Sequence, residues 1–149
     1  INTESLKNFK FEKALDKHIE GLFENRVLKV GFFASAKYPS GEAVSDVAAY
    51  NEFGTSAIPP RPFIRNAKSE NEKKWTNFLA RDLNSSGNAD LAFSRLGELV
   101  RNDIIVSINK TTSPPNSADT IARKGSSHPL IDTGFLKSSV TYEVNKGKK

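Results

Sequence analysis

Residues 58–67 read IPPRPFIRNA, three prolines set around one arginine and followed by the first turn of an amphipathic stretch. Proline fixes φ and has no N–H to donate, so Pro59 and Pro60 hold the chain extended and can neither continue a helix nor complete a ladder. Pro62 suits the first position of a helix, where an N–H would lack an intrahelical partner anyway. The segment therefore acts as an internal joint that sets the direction of the following helix, with Phe63 and Ile64 anchoring its start in the core. Arg61, with its fixed fork of donors, is expected to be free for a carboxylate on its own subunit or the next. A polyproline ligand for an SH3-like groove is the competing reading, since Pro59 and Pro62 satisfy P-x-x-P. Against it, the basic residue lies inside the motif and a helix begins at once.

On either side of this joint the apolar periodicity alternates between helix and strand. Phe11, Leu15, Ile19, Leu22 and Phe23 predict an amphipathic helix over 10–24. RVLKVGFFA at 26–34 has β-branched and aromatic character, placing Leu28, Val30 and Phe32 on one face and Val27, Lys29 and Phe33 on the other. KYPSGEA at 37–43 reads as a loop or hairpin end. A short helix is expected next, capped by Ser45 or Asp46, carried by Val47, Ala48, Tyr50 and Asn51, and ended by Gly54 in the left-handed conformation. Beyond the prolines, Phe63, Ile64, Ala67, Trp75, Phe78, Leu79 and Leu83 keep helical phase to about Asn84. After the SSGN break, Asn88 is the expected cap of a helix over 88–110, with Asp90 in its first turn. Leu96, Val100, Ile104 and Ile108 step by four along it and make it the candidate spine of the core.

The stretch 111–129 holds three of the seven prolines and is too long for an ordinary connection. It is expected to be a flexible loop that orders on docking, with two helical turns available at ADTIARK, 118–124. PLIDTGFLKSSVTYEV at 129–144 predicts a turn at Asp132 to Gly134 and a last strand through Val140, Tyr142 and Val144. Residues 145–149, with Lys146, Lys148 and Lys149, are expected to be a frayed, solvated tail. The 149 residues are of one-domain size, 1–149, with a single core as the default.

Composition narrows the function classes. With 37% hydrophobic and 26% charged residues and no long apolar run, neither a spanning helix nor a signal peptide is expected, and the protein should stay in the cytoplasm where it is made. The absence of methionine, even at position 1, points to a chain that has lost its start. Without cysteine there is no disulfide or thiolate chemistry, so stability rests on burial or oligomerisation, and the redox compartment stays open. The 22 basic and 17 acidic residues give a net charge of +5, which favours acidic partners by long-range attraction.

Motifs for catalysis are lacking. Ser127, His128 and Asp132 lie too close in sequence to align as nucleophile, base and orienter, and no G-x-S-x-G accompanies them. His18 and His128 form no metal-binding pair, and Glu52, Asp103, Asp132 and Glu143 are scattered acids whose simplest roles are a surface position or a structural hydrogen bond. No phosphate-binding glycine motif occurs, and the KGSS turn at 124–127 reads as a flexible turn. Arg61, Arg65 and Lys68 fall on one helical face, partly neutralised by Glu72, which leaves a small basic nucleic-acid-binding factor as the alternative function.

Three stretches in order, VAAYNEFGTSAIPPRPFIRNA at 47–67, NSADTIARKG at 116–125 and PLIDTGFLKSSVTYEV at 129–144, resemble the tail-completion and head-tail joining (neck) proteins of tailed bacteriophages and their prophage remnants. In that family a short helix ends in an E-x-G-T turn, passes through a proline-arginine-proline-phenylalanine segment into a long helix, and the chain closes with P-L-x-D-T-G-x-L before a strand. The first 25 residues and the lysine-rich end carry no such motif. The resemblance implies an α+β protomer with a small curved antiparallel sheet packed against two long helices and a long mobile loop. It implies no catalysis and no cofactor or metal. The implied role is a ring, often a hexamer, at the head-proximal end of the tail, where copies of the chain meet the tail tube protein and the head connector proteins. DNA passes through the channel as cargo, no membrane is involved, and the place of action is the virion, after assembly in the host cytoplasm. Matching positions make Glu52, Gly54, Pro59, Arg61, Phe63, Arg65, Lys68, Arg123, Lys124, Asp132 and Gly134 the interface candidates.

Overall fold

The apolar stripe that steps by four is buried along its whole length. In a computed structural model that describes residues 26–125, 130 and 134–147, Leu96, Val100, Ile104 and Ile108 all lie in the core, on a 22-residue helix Ala89–Lys110. In chain order the elements are β1 (Arg26–Gly31), α1 (Val44–Phe53), α2 (Phe63–Ser86), α3 (Ala89–Lys110), α4 (Ala118–Lys124), α5 (Phe135–Ser138) and β2 (Thr141–Lys146). β1 and β2 pair as a two-stranded antiparallel sheet, so the fold is a small α+β one with two long helices. The helix expected over 10–24 lies outside the described residues.

The described residues form two compact units, with boundaries inside α2 and α3. The first gathers 26–30, Asn71–Arg101 and 142–147. Here Trp75, Leu79 and Leu83 of α2 and Ala92, Phe93 and Leu96 of α3 are buried, spacings of three and four that keep one face of each helix apolar. Only Gly87 and Asn88 separate the two helices. Gly87 turns at φ 60°, and the Asn88 side chain accepts the Leu91 N–H at 3.0 Å, the cap expected from sequence. Across this connection Arg95 donates to Asp82 at 3.0 Å. The strands are fixed by Arg26 Nε donating to Asp90 at 2.6 Å and by Lys29 facing Glu143 at 3.4 Å. A side chain at Gly97 of α3 would overlap the Tyr142 ring of β2, whose Cε2 lies 2.7 Å from the position its Cβ would occupy. Gly97 thus allows a close approach of helix and sheet that a side chain there would block.

The second unit gathers Gly31–Glu70 and the described part of Asn102–Thr141. Its core is Val44 and Ala48 of α1, Phe63 and Ala67 of α2, Ile104 and Ile108 of α3, with Leu130, Leu136 and Val140. Phe63 is fully buried, with the Phe32 ring edge-on at 6.1 Å, and the Ser107 hydroxyl donates to its carbonyl at 2.7 Å. Truncating such a ring costs about 3–5 kcal/mol.

Several boundaries differ from the sequence reading. α1 starts at Val44 with Ala43 as its cap residue and no side-chain cap bond, so Ser45 and Asp46 lie inside the helix. The preceding KYPSGEA loop is a hairpin end, with Lys37 bridging Ala43 and Tyr38 N–H donating to Glu42 O at 2.9 Å. α5 intervenes before the last strand, entered through Gly134 at φ 74°. β2 runs on to Lys146, so Asn145 and Lys146 belong to the sheet and not to a frayed tail. The reason is local pairing: Asn145 donates to Glu143 at 2.7 Å, and the strand keeps its partner β1.

Candidate functional site

The proline joint is built by residues that bond across it. α1 ends at Gly54, whose N–H reaches Tyr50 O at 2.9 Å and whose dihedrals, φ 77° and ψ 170°, belong to a region open essentially to glycine. The conformation is positive in φ as expected, but its ψ is extended, not left-handed helical. A Cβ there would lie 2.9 Å from Ile58 O and 3.0 Å from the Pro60 ring, so the turn closes directly over the glycine. Thr55 holds the turn, its hydroxyl accepting from Ala57 N–H and Ile58 N–H at 3.1 and 3.0 Å. Pro59 and Pro60 are exposed, and the chain returns to α1 when Arg61 N–H donates to Asn51 O at 2.6 Å. Pro62 sits one residue before the helix, its carbonyl accepting the Asn66 N–H.

With proline at the cap position, α2 has no capping side chain of its own, and Glu52 supplies one from α1. Its buried carboxylate accepts the N–H of Ile64 at 2.8 Å and of Arg65 at 3.1 Å, and also Arg65 Nε at 2.9 Å. A negative charge against the first-turn N–H groups of a helix is doubly favourable, by hydrogen bond and by dipole. Arg65 gives a further bond from Nη2 to Glu52 O at 2.7 Å and lies over the Phe53 ring, 5.2 Å from its centroid. Phe53 is 69% exposed, and Tyr50 one turn earlier is exposed too, so α1 presents two aromatics to solvent beside a guanidinium fixed from below.

Arg61 differs from the sequence expectation. It is 4% exposed, and its side chain donates to Pro114 O at 2.8 Å, Pro115 O at 3.1 Å and Asn51 Oδ1 at 3.1 Å. These acceptors are neutral and belong to its own chain, so it is not free for a carboxylate on another subunit. Burial also holds its pKa below the ordinary arginine value. Nor is it part of an exposed stripe with Arg65 and Lys68, because it precedes α2 and is buried while those two are exposed. Within 111–125 the first part is tied to Arg61, and 118–124 forms the helical turns available to ADTIARK, a helix capped by Ser117 and ended by Gly125 at φ 68°.

Of the interface candidates, Glu52, Gly54, Pro59, Arg61, Phe63 and Arg65 therefore share one joint, with Lys68 exposed a turn further along α2. Arg123 is exposed on α4, Lys124 ends that helix, and Gly134 opens α5. Asp132 lies outside the described residues. Sequence reasoning missed Asn51 as the residue that orients Arg61, and Pro114 and Pro115 as its acceptors. The usable signal was the Pro-Pro pair itself, two acceptors without a donor. Tyr50 and Phe53 were missed as surface aromatics.

Among the described residues no three or more His, Cys, Asp or Glu side chains are grouped so as to hold a metal ion, and no helix is long and apolar enough to cross a membrane. The class these elements define is a small α+β fold whose best-built feature is an interlocked joint presenting exposed aromatics. Set against protein-family models, curated proteins and solved structures, the chain matches none.

Proposed function

We propose that the chain is a structural virion assembly protein that forms a ring at the head-proximal end of a phage tail, completing the tail and joining it to the head connector. The observation that supports this reading best is the pair Tyr50 and Phe53. Exposed aromatics are common anchors of protein interfaces, and here they stand on a helix end held by the buried Glu52, the Arg65 fork and the Gly54 turn. A surface fixed in this way binds without first losing conformational freedom. The order of the motifs in sequence adds its own support. In this reading the partners are further copies of the chain, the tail tube protein and the connector, and DNA passes as cargo. The chain catalyses nothing and acts in the virion after assembly in the host cytoplasm. The nucleic-acid-binding alternative is weakened, since Arg61, one of its three stripe cations, is buried.

Light scattering on size-exclusion fractions tests the proposal, across protein concentration and with purified tail tube protein added. A ring-sized species is expected under at least one condition, and Phe53→Ser should reduce it while lowering the melting temperature by only about 1–4 °C, as for the loss of one exposed cation–π contact. A strict monomer throughout, tube protein included, overturns the reading.

A further inference from the structure

Residues 111–123 contain no buried side chain, although they carry the helix α4. A segment with no fully buried side chain depends strongly on its polar ties, and Pro114 and Pro115 can offer only carbonyls. Both of those carbonyls are taken by the two-pronged edge of one guanidinium, Nε and Nη2 of Arg61. The remaining nitrogen, Nη1, donates to Asn51 Oδ1, and Asn51 is itself oriented by its Nδ2 donating to Val47 O at 2.9 Å. At the near end of the segment Thr111 is fixed to the last turn of α3, its N–H and hydroxyl both reaching Ser107 O, and beyond the far end Leu130 is buried in the core of the same unit.

We propose that Arg61 is a latch: it clamps 112–125 to the rest of its unit, and release of its fork loosens that segment, α4 included, between its anchored ends at Thr111 and the buried Leu130, while α2 and α3 stay folded. Asn51 is the positioning residue that aims the fork. The latch rests on the assembly reading only for its use, because a loosened α4 can adjust Ile121 and Arg123, which are exposed already, to a neighbouring subunit; the opening itself is a property of the isolated chain.

Hydrogen exchange of the isolated protein in a denaturant series tests this. In the unmodified protein the amides of Ile121 and Gly125, which close α4, should exchange through an opening insensitive to denaturant, well below global unfolding. Lysine keeps the charge but cannot fork across two carbonyls, so Arg61→Lys should speed exchange in α4 by roughly 10- to 100-fold, as expected for losing a charge-assisted bond. The α3 amides from Phe93 to Ile108 should be unaffected. Three results overturn the latch: α4 amides that follow global unfolding in the unmodified protein, α4 rates unchanged in Arg61→Lys, or α3 accelerated as much as α4, as in a variant that unfolds altogether. Ring formation is read separately, so its failure refutes the assembly reading and leaves the latch standing.

Discussion

Glu52 caps a helix to which it does not belong: its carboxylate, at the end of α1, accepts the N–H of Ile64 at 2.8 Å in the first turn of α2. The same carboxylate takes the Arg65 N–H and guanidinium, so a single side chain welds the two helices on either side of the proline joint. Glu52→Ala strands two helix N–H groups and leaves the Arg65 guanidinium only its bond to the carbonyl of residue 52 and its place over Phe53. The expected loss is about 2–3 kcal/mol, combining a lost cap with unsatisfied buried donors. In thermal unfolding that corresponds to a fall of roughly 4–12 °C for a chain of this size. An unchanged melting temperature would show that water replaces the carboxylate without cost.

Gly54→Ala should cost about 1–3 kcal/mol, because its φ and ψ lie in a region that L-residues enter only under strain. The new methyl also meets Ile58 O and Pro60, so the change should loosen the turn before the helices. Denaturant unfolding gives the size. Equal stability of the two proteins would contradict the assigned backbone.

Gly97→Ala drives a methyl into the Tyr142 ring and is expected to cost about 1–3 kcal/mol through overpacking. The pair Gly97→Ala and Tyr142→Ala should be less destabilised than the sum of the singles, since removing the ring makes room for the methyl. A double-mutant cycle measures this coupling, and additivity within about 0.3–0.5 kcal/mol would deny the contact.

Asp90 makes a modest contribution to the pH dependence, because its side chain is 66% exposed and screened by solvent. The hydrogen bond from Arg26 is the largest influence on its carboxyl and, with the charges of Arg26 and Lys146, outweighs the opposing desolvation, holding the pKa below the ordinary aspartate value. A depressed carboxyl pKa stabilises the fold above the unfolded-state value, and that contribution disappears as pH falls through the folded-state value. Arg26→Gln should therefore raise the Asp90 pKa and flatten the acid limb of the stability profile. Carboxyl NMR titration reads the shift directly; an Asp90 titration that does not move in the variant would rule out Arg26 as its cause.

What was legible in the sequence follows from what each interaction needs. The stripe Leu96, Val100, Ile104 and Ile108 repeats at the helical period, so burial could be read from spacing alone. The Asn88 cap was legible for the same reason, since its bond to Leu91 is local. Arg61 was legible as a member of the joint and Glu52 as an acid suited to the surface or to a structural hydrogen bond, but neither was legible in its partners. A charged residue is exposed by default, and what buries these two lies elsewhere: a helix end lacking its own cap, and carbonyls that every residue possesses and no sequence marks. Gly97 gave no signal either, because the ring that requires it arrives 45 residues later in the chain, at Tyr142.

The separation between Arg61 and its acceptors has a consequence for the newly made chain. Glu52 and Arg65 lie 13 residues apart, and their bonds become possible almost as soon as both have left the ribosome. Pro114 and Pro115 follow Arg61 by 53 and 54 residues, a delay of roughly 3–10 s at ordinary rates of synthesis. Until then Asn51 is the only one of the acceptors of the Arg61 side chain that has been made. The two halves of the joint thus differ in when they can form: the bonds at Glu52 need only a short stretch of chain, and those that enclose Arg61 wait for the second proline pair.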